Sequence, residues 1–200
     1  MTVDDRRQRE RTARRQLIVA TARDLAEQEG WDAVTTRRLS TEIEYSQPVI
    51  YKHFTSMEDL MDAVALEGFS ELAESLGAAR RDGPPGDALR RVAHAFMSFA
   101  AENPALYDAM FSRTTRLRFG APDSPAALVA GFEELRQAIV DSTTTTSPEV
   151  ETLTEVIWSA LHGLTTLARG GRLRLGLDRE RIELLVGHFV SGRSVVIPGS

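Results

Sequence analysis

The stretch SQPVIYKHFTSMEDL, residues 46–60, decides the fold. Ser46 is a good N-cap, because a hydroxyl can accept from the first free backbone N–H groups of a helix. Pro48 follows in the first turn, where its missing N–H costs nothing. Ile50 and Phe54 lie four residues apart and so share one face. A short helix over Gln47–Phe54 is predicted. Ser56, with Asp59 close behind, starts a longer one from about Met57 to Arg80.

Working back from Ser46, Thr35 or Thr36 can cap a second short helix from about Arg37 to Ile43, with Leu39 and Ile43 on its inner face. Further back, Ile18, Ala22, Leu25 and Ala26 form one stripe of a helix over Arg11–Gln28. Gly30 ends that helix, as a residue tolerant of positive φ should, and Trp31 and Val34 plug the corner. Two short helices joined by a tight turn behind a first helix follow the helix-turn-helix plan. In that plan the second helix of the pair enters the major groove and the first braces on the backbone. Leu39, Ile43, Ile50 and Phe54 would lock the pair. Gln47, Val49, Tyr51, Lys52 and His53, with Ser46 at the head of the helix, are left for outward work. Gln pairs bidentately with adenine and Val packs on a thymine methyl. Tyr51, Lys52 and the helix start at Thr35, Thr36 and Arg37 suit phosphate. Tyr51 and His53 also read as ordinary packing residues, and Gln47 as a solvent-facing one.

Bulk composition agrees with a folded chain. The 200 residues are 42% hydrophobic and 26% charged, ordinary values for a globular protein. With no cysteine, disulfides, zinc-thiolate sites and cysteine nucleophiles are excluded. No apolar run approaches the ~20 residues of a membrane span, and no signal-peptide pattern opens the chain, so a cytoplasmic location without membrane association is expected. The net charge of −5 hides an asymmetry: Arg6, Arg7, Arg9, Arg11, Arg14 and Arg15 crowd one end, while the acids gather later. Residues 1–10 are expected to be a basic, flexible arm, and the bland reading of that arm is a solvated, frayed terminus.

Beyond Asp82–Gly86, the clearest breaker in the chain, capping residues and prolines recur. Helices are expected from Asp87 (Leu89, Val92, Ala93, Phe96, Phe99 and Ala100 inward), Asn103–Pro104, Ser124–Pro125, Ser147–Pro148 and Asp178. The last two should cover Pro148–Arg169 and Asp178–Gly192. Arg116–Asp123 and Thr143–Thr146 read as loops. No alternating apolar pattern is long enough for a sheet. An all-α fold is predicted, with a helix-turn-helix domain over residues 11–56 and a larger helical domain over 57–200.

The segment Ile50–Phe54, followed by Thr55–Leu60, resembles the signature of the tetracycline-repressor-like (TetR) family: a tyrosine, then His-Phe, then a Ser-x-Glu-x-Leu helix start. Gly30–Trp31, Thr35 and the Leu39 to Ile43 spacing extend the likeness across residues 11–60. The resemblance implies a one-component transcriptional regulator, usually a repressor, that dimerises on a palindromic double-stranded DNA operator and releases it on binding a small effector. There are two departures. Glu44 stands where the family commonly has Gly, so a strained or differently shaped turn is expected. Met57 stands where the family often has a phosphate-reaching Lys, and the arginine-rich arm is expected to compensate.

Trp158–Leu164, with Gly170–Leu173 after it, resembles the Trp-x-x-x-His-Gly C-terminal domain of one TetR subgroup. Gly163 in mid-helix costs about 1 kcal/mol against Ala, which suits a close helix approach. The resemblance implies that the last two long helices pair with their twins, for which Ile157, Leu161, Leu164, Ile182, Leu185 and Phe189 are the candidates. It also implies an effector cavity lined by some of Phe96, Phe99, Tyr107, Phe111, Phe132, Trp158 and His162. The aromatic and methionine content points to an apolar ligand. Plain core packing is the competing reading for each aromatic, and a lone histidine on such a face is more often a satisfied core residue than a ligand or a proton sensor.

Two other functions are weighed. An enzyme would need chemistry that the sequence does not offer: His53, His94, His162 and His188 show no metal-ligand spacing, and no cofactor or metal is expected. A helical adaptor that binds protein without reading DNA is opposed by the basic arm and by Tyr51–Lys52.

Overall fold

The structure is a computed structural model, and it describes residues 3–113, 117, 124–143 and 149–190. Among these residues it is all-α, with helices α1 (Val3–Glu29), α2 (Thr36–Glu42), α3 (Gln47–Tyr51), α4 (Met57–Arg81), α5 (Ala88–Glu102), α6 (Pro104–Phe111), α7 (Ala126–Ser142), α8 (Glu149–Arg169) and α9 (Asp178–Val190). No helix among them is long and apolar enough to cross a membrane. The expected loops at Arg116–Asp123 and Thr143–Thr146, apart from Leu117 and Thr143, lie outside the described residues, as do Pro148 and the end of the last predicted helix at Gly192.

Two boundaries differ from the sequence reading. The arginine run is no separate arm but the opening turns of α1. Ala, Arg, Gln and Glu are good helix formers, and no Gly or Pro interrupts Val3–Glu29. The helix predicted to reach Phe54 ends at Tyr51, with Lys52 as its C-cap. The chain still turns helically through bonds from the His53 and Phe54 N–H groups to the Ile50 carbonyl.

The chain divides into one unit of Met1–Phe69 with Asn103–Pro125 and a second of Ser70–Glu102 with Ala126–Ser200. These compact units do not follow chain order, and α6 joins the first unit. Side chains far away in sequence hold α6 there. The Glu27 carboxylate accepts from the Ala105 and Leu106 N–H groups at 3.0 and 2.9 Å, which satisfies donors left free at a helix N-terminus. The Trp31 indole donates to the Ala105 carbonyl at 2.8 Å, and Arg23 donates to the Asn103 side chain at 2.9 Å.

In the second unit, Leu89, Val92, Phe96, Leu135, Ile139, Ile157, Leu161 and Ile182 are buried. Arg80 ties α4 to α7 through Glu134 at 2.7 Å and Asp141 at 3.1 Å. Arg90 joins α5 to α9 through Glu183 at 2.9 Å.

Candidate nucleic-acid interface

Thr35, not Thr36, caps α2, its side chain accepting from the Arg38 N–H at 3.1 Å. Leu39 and Ile43 on α2 are buried with Ile50 and Phe54 from α3 and its following turn. The apolar positions chosen from spacing therefore do lie together in one core. The turn between the helices closes with two bonds: the Tyr45 N–H reaches the Ser40 carbonyl, and the Glu44 N–H reaches that of Thr41. This is the Schellman arrangement, which requires a left-handed residue. Glu44 supplies it at φ 55°. The turn thus keeps the shape a glycine would give, at the cost of a side chain in a disfavoured region. Glu44→Gly is expected to raise stability by a few tenths to about 1 kcal/mol, read as a higher thermal midpoint; a lower midpoint would show that the Glu44 side chain itself stabilises the turn.

Ser46, Gln47, Tyr51 and Lys52 are exposed, whereas Val49 and His53 are half-buried. Thr35 and Arg37 are exposed and Thr36 is half-buried. Arg38 is held by Glu29 at 2.9 Å and Glu42 at 3.0 Å, which leaves Arg37 as the cation of α2 turned to solvent. The start of α4 is closed from both sides: the Ser56 hydroxyl accepts from the Asp59 N–H at 3.2 Å, and the Asp59 carboxylate accepts from the Thr55 N–H at 3.0 Å.

One participant escaped the sequence reading. Arg15 donates to the His53 carbonyl at 3.4 Å, and its guanidinium lies 4.3 Å from the centre of the Phe54 ring, a cation–π contact. It thereby clips α1 to the end of the α3 turn. No local pattern pairs residues 15 and 53. Partial burial, followed by the charges of Arg11, Arg14 and Arg15, pushes the His53 imidazole below its ordinary pKa. Near neutral pH His53 is therefore uncharged, and it has one ring donor and one ring acceptor.

A model of the tetR family of bacterial regulatory proteins matches residues 18–64, and one of the tetracyclin repressor-like C-terminal domain matches residues 89–189. The chain belongs to the TetR family. It is a DNA-binding transcriptional regulator of that family. The uncharacterized HTH-type transcriptional regulator Rv0681 of Mycobacterium tuberculosis is 29% identical over 78% of this chain and 71% of its own length. Among solved structures, a protein of unknown function from Rhodococcus sp. RHA1 has the same fold at 24% identity. Its TM-score is 0.71, with 89% of this chain and 93% of that one covered. BioQ, solved with its double-stranded DNA operator, aligns with a TM-score of 0.62 at 18% identity, over 88% of this chain and 96% of that one.

The candidates in the larger domain are regrouped by the structure. Tyr107 and Phe111 belong to the first unit, where Phe111 packs edge-on against Phe69 with ring centres 5.2 Å apart. Phe96, Phe132 and Trp158 cluster in the second unit, where Trp158 lies 5.6 Å from Phe96 and 6.3 Å from Phe132. The seven candidates, some of which are expected to line a cavity, are thus divided, Tyr107 and Phe111 lying in the first unit and the other five in the second. Phe99 is buried, and His162 is half-buried with its imidazole pushed below its ordinary pKa by that burial. Of the expected dimer contacts, Ile157, Leu161 and Ile182 are buried in the core of their own unit. Periodicity identified an apolar stripe but not which body it faces. Leu164, Leu185 and Phe189 are half-buried, and among the described side chains of α8 and α9 the large apolar ones that are exposed are Val156, Leu167 and Leu184.

Proposed function

We propose that this TetR-family chain is a homodimeric repressor that reads a palindromic operator through α3 and leaves it when a small, apolar molecule binds the second unit. The observation that carries the DNA-reading part is the division of α3, with Ile50 1% exposed and Tyr51 52% exposed beside exposed Gln47 and Lys52. Gln47 and Val49 are the base-reading side chains, and Ser46, Tyr51, Lys52, His53 and the start of α2 at Thr35, Thr36 and Arg37 serve phosphate. That BioQ, which shares the fold, was solved with a double-stranded DNA operator supports DNA as the partner. No catalysis is needed for this role.

The dimer rests on α8 and α9. Val156 and Leu167 on α8 and Leu184 on α9 are 46%, 39% and 76% exposed. The mid-helix glycines Gly163 and Gly187 each have open space where a Cβ would sit. Each costs helix stability with no contact among the described residues to require it, which fits close approach by a second copy. Leu184→Glu is expected to turn a dimer into a monomer in sedimentation; a variant that still sediments as a dimer would move the interface elsewhere. For the effector, Phe96, Phe132 and Trp158, with Thr165 donating to the Met97 sulfur at 3.1 Å and His162 on the same helix, form the apolar cluster of the second unit.

A gel shift with the promoter region beside the chain's own gene tests the whole. Gln47→Ala should relax discrimination at one base position, while Lys52→Ala should weaken specific and non-specific DNA alike. Two-fold-related half-sites about one helical turn (~34–36 Å) or a multiple apart are expected. Failure to retard any specific DNA, with or without added ligand, would end the regulator reading.

A further inference from the structure

The first fifteen described residues, 3–17, lie before the segment matched by the TetR-family model, which begins at residue 18. They are helical, and every one of them is exposed. A helical stretch with no buried residue gains little from tertiary packing beyond the contact of Arg15, and a segment of this length is marginal in isolation. Six arginines stand in it against three acids, in a chain whose net charge is −5.

Ion pairing divides those arginines. Arg6 is held by Glu10 at 3.0 Å, and Arg7 lies 4.0 Å from Asp4 in a highly exposed pair that holds it weakly. Arg11 and Arg14 form no ion pair among the described residues. At 100° per residue, Arg7, Arg11 and Arg14 fall on one face. That face continues into buried Ile18. One residue beyond Arg14, Arg15 touches the His53 carbonyl and the Phe54 ring. Arg15 thus joins this arginine-bearing segment of α1 to the turn that follows α3, next in sequence to Lys52. From Arg14 to Arg7 the row spans ~10 Å at 1.5 Å per residue. Measured along the duplex axis, that length covers about three phosphates of one strand at a ~3.4 Å rise.

We propose that the Arg7–Arg11–Arg14 face of α1 lies along the DNA phosphate backbone flanking the sequence read by α3, giving each subunit a second, sequence-independent hold on its operator. This rests on the α3 reading above. Guanidinium groups on a straight helix match phosphate oxygens bidentately. They carry no base information, so the contact extends the site without narrowing it.

The test uses the full chain and a duplex it selects from a random-sequence pool, once with long flanks and once trimmed to the selected core. The triple variant Arg7→Ala, Arg11→Ala, Arg14→Ala keeps the best helix former at each position, and the triple Lys variant keeps the charge. The Ala variant should bind the long duplex about tenfold more weakly, and its log-affinity against log-salt slope should flatten by about 2–3 per subunit. Trimming the flanks should weaken the unmodified chain but not the Ala variant, and the Lys variant should recover most of the salt slope. An unchanged slope and unchanged flank dependence, with Lys52→Ala still weakening binding, would overturn the second hold and leave the α3 reading standing. If the unmodified chain selects no duplex at all, both fall.

Discussion

Ile50→Ala is expected to weaken specific DNA binding by more than a hundredfold, although Ile50 is 1% exposed and faces the protein interior. The reason is the shortness of α3. Five residues cannot hold a helix by propensity, since nucleation is unfavourable and few bonds follow it. What keeps Gln47 and Lys52 in place is the packing of Ile50 and Phe54 on Leu39 and Ile43. Removing most of a buried Ile side chain costs about 2–5 kcal/mol, which is large against the total stability of a domain. The loss should fall on this motif. Gel shifts on matched and scrambled duplexes, with far-UV circular dichroism to show that the other helices persist, check it. Retained discrimination between the two duplexes would show that α3 is held by something other than Ile50. Ile50→Val, at about 0.5–1.5 kcal/mol, should keep most of the binding.

Gly68→Val should destabilise the first unit strongly, since the clash begins at the Cβ and the two further methyl groups add to it. A Cβ at position 68 of α4 would stand 2.7 Å from the Met110 sulfur and 2.8 and 2.9 Å from Leu106 Cδ1 and Cγ on α6. Leu106 and Met110 are 0% and 2% exposed, so neither has free space to retreat into. Valine improves local helix propensity over glycine by a few tenths of a kcal/mol, whereas overpacking a filled core costs about 1–3 kcal/mol. The clash wins. Calorimetry should show a lower midpoint, by roughly 2–4 °C for each kcal/mol in a chain of this size. A midpoint that stays or rises would mean that α6 can yield at this contact.

How much of this was legible in advance depends on the range of each interaction. Caps and same-face apolar pairs act within a few residues, so the helix order, the helix-turn-helix and its Leu39, Ile43, Ile50 and Phe54 core could be read directly. Glu44 departs from the family glycine in the sequence, but only backbone geometry shows that a glutamate holds the left-handed turn. The arginine run was noticed by charge. Its role as the opening turns of α1, with Arg15 over Phe54, joins residues 38 and 39 positions apart.

The sequence by itself determined that this is an all-α chain of the TetR family with a short helix starting at Gln47, because periodicity, caps and a dense local signature are all short-range properties. Tertiary structure alone decided which apolar stripes are core and which are surface. Ile157, Leu161 and Ile182 carry the same helical spacing as any interface stripe, and only packing within the unit takes them out of it. The same holds for Tyr107 and Phe111, assigned to the first unit because Glu27 and Trp31 hold α6 there. A helix shows in its sequence that it has an apolar face; what that face meets is set by chain folding over tens of residues.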